Sequence, residues 1–175
     1  MNHTVALSAS TDKTSTRASL SFRDQSGTTP NTDQKRYAMA VNTKMTFNKY
    51  IDFDLSANYI RTKSANLPGT GYNSTNALQS IMQWFGRQVD LKDLKNNWDQ
   101  VDEYGKYTHY NWIQSFHANP YWTLNKNTNS YDRNRFYGKT SLYIKPTDWL
   151  KFEGRMGLDH YDSNQFSRIL WNIDY

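Results

Sequence analysis

Apolar and polar residues alternate with a period of two along most of this chain. The stretch 135–163, RFYGKTSLYIKPTDWLKFEGRMGLDHYDS, shows the pattern most fully. In its first run Phe136, Gly138, Thr140, Leu142 and Ile144 share one face; in its second run Leu150, Phe152, Gly154, Met156 and Leu158 do. The opposite faces carry Arg135, Tyr137, Lys139, Ser141, Tyr143 and Lys145, then Lys151, Glu153, Arg155, Gly157 and Asp159. Alternation over this length predicts strand rather than helix. With Pro146, Thr147 and Asp148 as the turn, Ile144 faces Leu150, Leu142 faces Phe152 and Phe136 faces Leu158. A two-residue turn would set apolar against charged positions, because a one-residue slip moves every side chain to the other face. The pattern therefore predicts a long amphipathic hairpin closed by an odd-length turn.

The first third of the chain repeats that part. Residues 3–10 alternate Val5, Leu7 and Ala9 against Thr4, Ala6 and Ser8, and residues 15–23 alternate Ala18, Leu20 and Phe22 against Arg17, Ser19, Ser21 and Arg23. An even-length turn over 11–14 brings Leu7 opposite Ala18 and Val5 opposite Leu20. Residues 24–34, DQSGTTPNTDQ, are dense in breakers and predict a loop. Residues 35–47 then set Tyr37, Met39, Val41, Met45 and Phe47 against Arg36, Asn42 and Lys44. After a turn at 48–50, residues 51–63 return with Ile51, Phe53, Leu55, Ala57 and Tyr59 against Asp52, Asp54, Ser56 and Asn58. A three-residue turn sets Met45 opposite Phe53 and Lys44 opposite Asp54, so both faces agree on one register.

Residues 64–134 break the alternation. The segment far exceeds the roughly 12–15 residues beyond which structureless loops become uncommon. Leu78, Ile81, Met82 and Phe85 follow helical spacing, with Ser74 or Thr75 as start cap and Gly86 as stop, which predicts a short helix near 74–86. Asp90 followed by Leu91, Leu94 and Trp98 predicts a second. The connections then have a polarity. Those at 11–14, 48–50 and 146–148 are short; those at 24–34 and 64–134 are long. In an up-and-down meander alternate connections share a rim, so the short turns fall at one rim and the long loops at the other. The predicted fold is an all-β, antiparallel up-and-down meander of about six long strands. Its parts are four strands over 1–63, a loop insertion over 64–134, a hairpin over 135–163, and the start of a loop or a strand extension over 164–175.

Composition limits what such a sheet does. Mean hydropathy is low, at −0.92, yet aromatics make up 15% of the residues, which argues against disorder. A net charge of +5 is spread along strand faces rather than gathered into a stripe, so nucleic acid is not an expected partner. With no cysteine there is neither a disulfide framework nor thiolate chemistry. No run approaches the ~18 apolar residues of a membrane-spanning helix, but strands that face lipid at every second position give only a weak hydropathy signal. Met1 leads directly into strand-like NHTVALSAS, and no signal peptide precedes it. That predicts either a cytosolic protein or an internal fragment of a longer, exported one.

Catalytic constellations are not expected. His3, His109, His117 and His160 lack zinc-ligand spacing, and the chain has no HExxH, no GxSxG and no phosphate-cradling glycine loop. Asp90 with Asp93, and Asp102 with Glu103, fit helix-start and loop surface charges. Neither a metal nor a cofactor is expected. The insertion is the one candidate binding region. Trp98, Tyr104, Tyr107, Tyr110, Trp112, Tyr121 and Trp122 offer rings that stack on sugars or pack on peptides, with polar tips to orient a ligand. The competing reading makes the same rings, with Phe116, the loop's own small core. Phe47, Tyr50, Trp149 and Phe152 gather near the short turns, as an aromatic girdle would.

Several of these segments resemble the barrel portion of SusC/RagA-type TonB-dependent outer-membrane transporters. The resemblance covers nearly the whole chain. It is carried by SLSFRDQSG, KRYAMAVNTKM and VDLKDLKNNW, and most specifically by HANPYWTLNKN and DRNRFYGKTSLYIKPTDWLKFEGRMGLDHYDS. It implies that the six strands are part of a transmembrane barrel of about 22 strands with a plug domain in its lumen. It further implies a bacterial outer-membrane location, contact with outer-membrane lipid, and import of bulky nutrients such as glycans or peptides. The implied partners are the remainder of the barrel and plug, a SusD-like surface lipoprotein acting as a lid, and TonB. The aromatic insertion would be extracellular, and Arg36, Lys44, Asp54, Lys139, Glu153 and Arg155 would line the wall behind the plug. A plug and a TonB-contacting segment are missing from the pattern, as for a fragment. The alternative is a soluble β-sheet module that binds carbohydrate through the aromatic loop.

Overall fold

A computed structural model describes residues 1–72, 76–108, 110–113 and 117–170. Its core element is one six-stranded sheet, with strands in the order β1-β2-β3-β4-β5-β6, so each pairs with its sequence neighbour. The strands are β1 (Asn2–Ser10), β2 (Thr14–Ser26), β3 (Asp33–Asn48), β4 (Ile51–Ser64), β5 (Thr128–Thr147) and β6 (Leu150–Arg168). Between β4 and β5 lie three short helices, α1 (Ala77–Trp84), α2 (Leu91–Asn96) and α3 (Pro120–Lys126). The fold is the all-β up-and-down meander that the alternation predicts.

The registers follow the face pattern. β1 and β2 pair Val5 with Leu20 and Leu7 with Ala18, and the ladder closes at Ser10 and Ser15. The four residues between form a turn held by Thr11 N–H donating to Thr14 O at 2.7 Å. β3 and β4 pair Met45 with Phe53 and Lys44 with Asp54. Near the turn the register shifts by one between Thr46 and Asn48, so Asn48 pairs with Ile51 and only Lys49 and Tyr50 lie outside the strands. The expected three-residue turn at 48–50 is thus a tighter turn plus a bulge, which keeps the faces matched above it.

The last hairpin departs similarly at its tip. Pro146 and Thr147 belong to β5, and Asp148 and Trp149 make the connection in place of 146–148. Proline is tolerated there because it sits at a strand end, where the missing N–H removes little from the ladder. Above the tip, the Arg135–Asp159 ion pair, Arg133 over the Tyr161 ring (4.5 Å) and Lys151 over the Tyr143 ring (4.2 Å) fit the register in which Leu142 faces Phe152. β5 also begins well before 135 and β6 runs beyond 163, where the polar TNSYDRN and NQFSR segments hide the alternation.

The chain divides into two compact units. The first (1–25, 35–63, 132–164) holds most of the sheet, and its short turns are bonded to neighbouring strands. Thr46 N–H donates to Lys13 O and Lys145 N–H to Tyr50 O, both at 2.7 Å.

The second unit (26–34, 64–131 and the chain from 165) brings the two long connections together. Asn66 Nδ2 donates to Asn31 O and to Leu124 O, each at 2.9 Å, while its Oδ1 accepts from Asn129 N–H at 2.9 Å. Asn31, at φ 55°, uses the left-handed region that asparagine tolerates. Its side chain also donates to Leu124 O at 2.9 Å. Amide side chains carry both donor and acceptor, so one buried asparagine closes three backbone groups that a helix or ladder would otherwise have to satisfy.

Candidate functional site

Within the second unit the insertion folds around Asn119. Its Oδ1 accepts from Tyr121 N–H at 2.9 Å and so caps α3, with Pro120 in the first turn where its missing N–H costs nothing. Its Nδ2 donates to Leu94 O in α2 and to Tyr110 O, both at 2.9 Å. The side chain is buried, with every polar atom paired. Asp90 caps α2 through Lys92 N–H. At α1 the cap is Asn76, whose Oδ1 accepts from Gln79 N–H at 3.2 Å, and the end is Phe85 rather than Gly86. The caps expected at Ser74 and Thr75 lie outside the described residues. Of the expected apolar stripe, Leu78 and Met82 are exposed and Ile81 and Phe85 half-buried, while the buried positions of α1 are Ala77 and Ser80.

The seven rings singled out in the sequence go to different places. Tyr107 meets Trp122 edge-on at 6.2 Å, and Lys126 lies over the Tyr107 ring at 4.5 Å and the Trp98 ring at 5.6 Å. Trp122 is only 3% exposed, so protein covers both its faces. A second cluster joins Trp112 to Phe85 (edge-on, 4.1 Å) and to His117 (stacked, 6.0 Å), with Trp84 also against His117 at 5.2 Å. The Trp112 indole N–H is buried without an acceptor among the described residues. Tyr121 is half-buried on α3. Tyr110 donates its hydroxyl to Asp93, and that bond, with some burial and the Asp93 and Asp90 charges, raises the phenol's pKa above its ordinary value. Tyr104 stands apart at 85% exposure, on a turn where Asp102 Oδ1 accepts from Tyr104 and Lys106 N–H groups and Gly105 adopts φ 77°.

Trp84, Phe85, His117 and Lys126 join these clusters without having been singled out as ligand candidates. HANPYWTLNKN contains the signal for two of them, since Asn-Pro at a helix start fixes α3 and so aims His117 and Lys126. His109 and Phe116 lie outside the described residues.

In the first unit the sheet presents two unlike faces. One carries Val5, Leu7, Leu20, Phe22, Met39, Val41, Met45, Phe53, Leu55, Phe136, Leu142, Ile144, Met156 and Leu158 in neighbouring rows. Most of these are exposed, with Leu7 at 74% and Met156 at 71%. Rings border this band. Phe22 packs on Tyr37 at 5.0 Å, and Tyr59 donates its hydroxyl to Asn134 at 2.9 Å. Toward the short turns, Phe47, Tyr50, Trp149 and Phe152 are all exposed. The other face is polar and charged. Lys44 and Asp54 are ladder partners, and Lys145 Nζ meets Asp52 Oδ2 at 2.6 Å. Lys44, Asp52 and Asp54, with Lys13, Tyr143 and Lys151, line a cleft of about 350 Å³. Among the described residues no cluster of histidines and carboxylates could hold a metal ion.

No protein-family model and no curated protein sequence matches the chain. Solved structures do share its fold. The RagAB peptide importer in its "open-open" state matches at TM-score 0.68 over 96% of this chain, with 19% identity. The importer in its "closed-closed" state matches at TM-score 0.66 over 96%, with 16% identity. A structure of the RagAB peptide transporter matches at TM-score 0.64 over 95%, also with 16% identity. In each case this chain spans 18% of the length of the transporter chain. The six-stranded meander with its long insertion is therefore a fold found inside the RagAB peptide importer.

Proposed function

We propose that the chain is a wall segment of a bacterial outer-membrane, TonB-dependent importer of bulky nutrients such as peptides or glycans. The observation that carries this reading is the apolar face of the sheet. Soluble proteins rarely expose contiguous apolar patches beyond a few hundred Å², yet here such a face crosses neighbouring strands and is bordered by rings at both ends. Its height fits a bilayer. On β3 the apolar stretch runs from Tyr37 to Phe47. At about 3.3 Å per residue that is roughly 33 Å of strand. A tilt of about 40° brings it to about 25 Å, the height of a barrel's lipid-facing band.

The charged face then lines the lumen, behind a plug supplied elsewhere. The insertion between β4 and β5, residues 65–127, is extracellular, and its rings, Tyr104 foremost, face cargo or a SusD-like lipoprotein lid. β1 is exposed along its whole length and β6 along all but Leu150. Both edges are thus available for further barrel strands, which a closed wall requires. The likeness to the RagAB peptide importer supports peptide as cargo class ahead of glycan. A soluble carbohydrate module would instead need to bury this face.

The test is a pair of arginine substitutions on adjacent residues of β2, made in the full-length protein. Leu20→Arg puts a charge on the apolar face, one row inside the Phe22 ring, and should lower unfolding stability in bilayers by up to about 2–4 kcal/mol, the cost of arginine at mid-bilayer, whereas a lumen-side charge meets no lipid and should cost much less. Ser19→Arg, on the other face, is the control. Equal effects would remove the lipid-facing assignment.

A further inference from the structure

The polar face of the sheet carries more positive charge than its own carboxylates balance. Four strand carboxylates alternate onto this side, and each has a cation. Asp52 meets Lys145, Glu153 meets Arg155 and Asp159 meets Arg135, while Asp54 is the ladder partner of Lys44. Arg17, Arg23, Arg36, Arg133, Lys139 and Lys151 share the face and form no ion pair among the described residues. Asp24, Asp33, Asp132 and Asp162 alternate onto the other face, with Lys35, Arg61 and Lys63.

Three of these unpaired arginines lie where the long connections leave the sheet. The Phe22–Tyr37 ring contact, the Thr16–Thr43 hydroxyl bond at 3.2 Å and the bond from Thr46 N–H to Lys13 O all fit one register, in which Arg23 stands opposite Arg36. The outer partners of that row are Asn2 and Thr62, so it holds no carboxylate there. One row in, the Arg61–Asp132 and Tyr59–Asn134 contacts set Arg133 opposite Ile60, with its Nε buried and without an acceptor among the described residues. Like charges directly opposite each other destabilise a ladder, yet Arg23 and Arg36 are both exposed and both available to an anion.

We infer that Arg23 and Arg36, with Arg133 beside them, bind side-chain carboxylates of the cargo, so that the transporter favours acidic peptides. A guanidinium presents a planar fork of donors that matches a carboxylate bidentately. Below the row, Ser21 and Ala38, then Ser19 and Ala40, are small, which leaves room for an extended chain to approach the sheet. The row lies at the rim nearest the insertion, where cargo would enter, and surplus charge lining a cleft concentrates ligands of opposite sign. The inference rests on the peptide-importer reading and adds a charge preference to it.

The experiment incubates the full-length protein in neutral detergent with a synthetic peptide library. Every member is made in an aspartate/glutamate form and in the matching asparagine/glutamine form, and retained peptides are counted by mass spectrometry. The acidic forms should be enriched, by about two- to fivefold for each arginine engaged, the range of a partly solvated ion pair. Added salt should shrink that enrichment. Arg23→Gln with Arg36→Gln should remove most of it while the amide forms are retained as before, which shows that the variant is folded. Lys35→Gln, on the opposite face, should leave it intact. Equal retention of the two forms by the unaltered protein, or an enrichment that survives the double substitution, would overturn the inference and leave the importer standing. An equal loss of both forms in the double variant would make the arginines a support for the plug or wall, and would overturn it too. Retention of neither form by the unaltered protein would overturn the peptide-importer reading, and the charge preference with it.

Discussion

Asn119 shows how much of the insertion depends on one amide. It caps α3 and donates to carbonyls of Leu94 and Tyr110, so removing it leaves one helix N–H and two buried oxygens without partners. Losing a cap costs about 1 kcal/mol and unsatisfied buried groups about 1–3 more. Asn119→Ala should therefore destabilise the α2–α3 region by about 2–4 kcal/mol, read as faster amide exchange over 91–126, with the ladder amides of β3 and β4 unchanged. Such roles are faint in a sequence. Asn31, Asn66 and Asn119 sit in breaker-rich stretches, where asparagine is expected in any case, and their long-range partners depend on tertiary placement. Aromatics were easy to see and hard to assign. Whether a ring lines a ligand surface or a local core depends on its neighbours. Trp122 and Tyr104 look alike in the chain and are 3% and 85% exposed in the structure.

Hairpins were the most legible elements, because each face constrained the register independently. Val5 with Leu20 and Met45 with Phe53 follow from matching apolar to apolar and charge to countercharge. What the pattern missed were local adjustments that preserve it: the shift between Thr46 and Asn48, and Pro146 inside β5. α3 was missed because its apolar and aromatic residues carry no clear helical stripe, although Asn119-Pro120 marks its start. One element-level feature is a close strand approach. A Cβ at Gly138 would lie 2.7 Å from Ser56 O and 3.4 Å from Ala57 Cα, so β4 and β5 come together only over a glycine. Gly138→Ala should cost about 1–3 kcal/mol, the range for overpacking. Gly154→Ala, where the added carbon meets nothing within 4 Å, should be close to neutral. Urea midpoints of the two variants in detergent micelles make the comparison.

For the molecule as a whole, the meander itself was legible from alternation, and the likeness to the RagAB importer agrees with it. The environment of each face was less so, since period two separates an apolar side from a polar one without naming the solvent on either. The exposed band and its bordering rings are what support the proposed lipid-facing reading. This chain contains no cysteine, so once any thiol outside it is replaced, introduced cysteines report on this sheet alone. Single cysteines placed in turn from Ala38 to Asn42 on β3, in the full-length protein in bilayers, can be challenged with a water-soluble maleimide. Met39→Cys and Val41→Cys should be protected, while Ala38→Cys, Ala40→Cys and Asn42→Cys should label, giving a period of two. Uniform labelling along the strand, or faster labelling at 39 and 41, would contradict a lipid-facing wall.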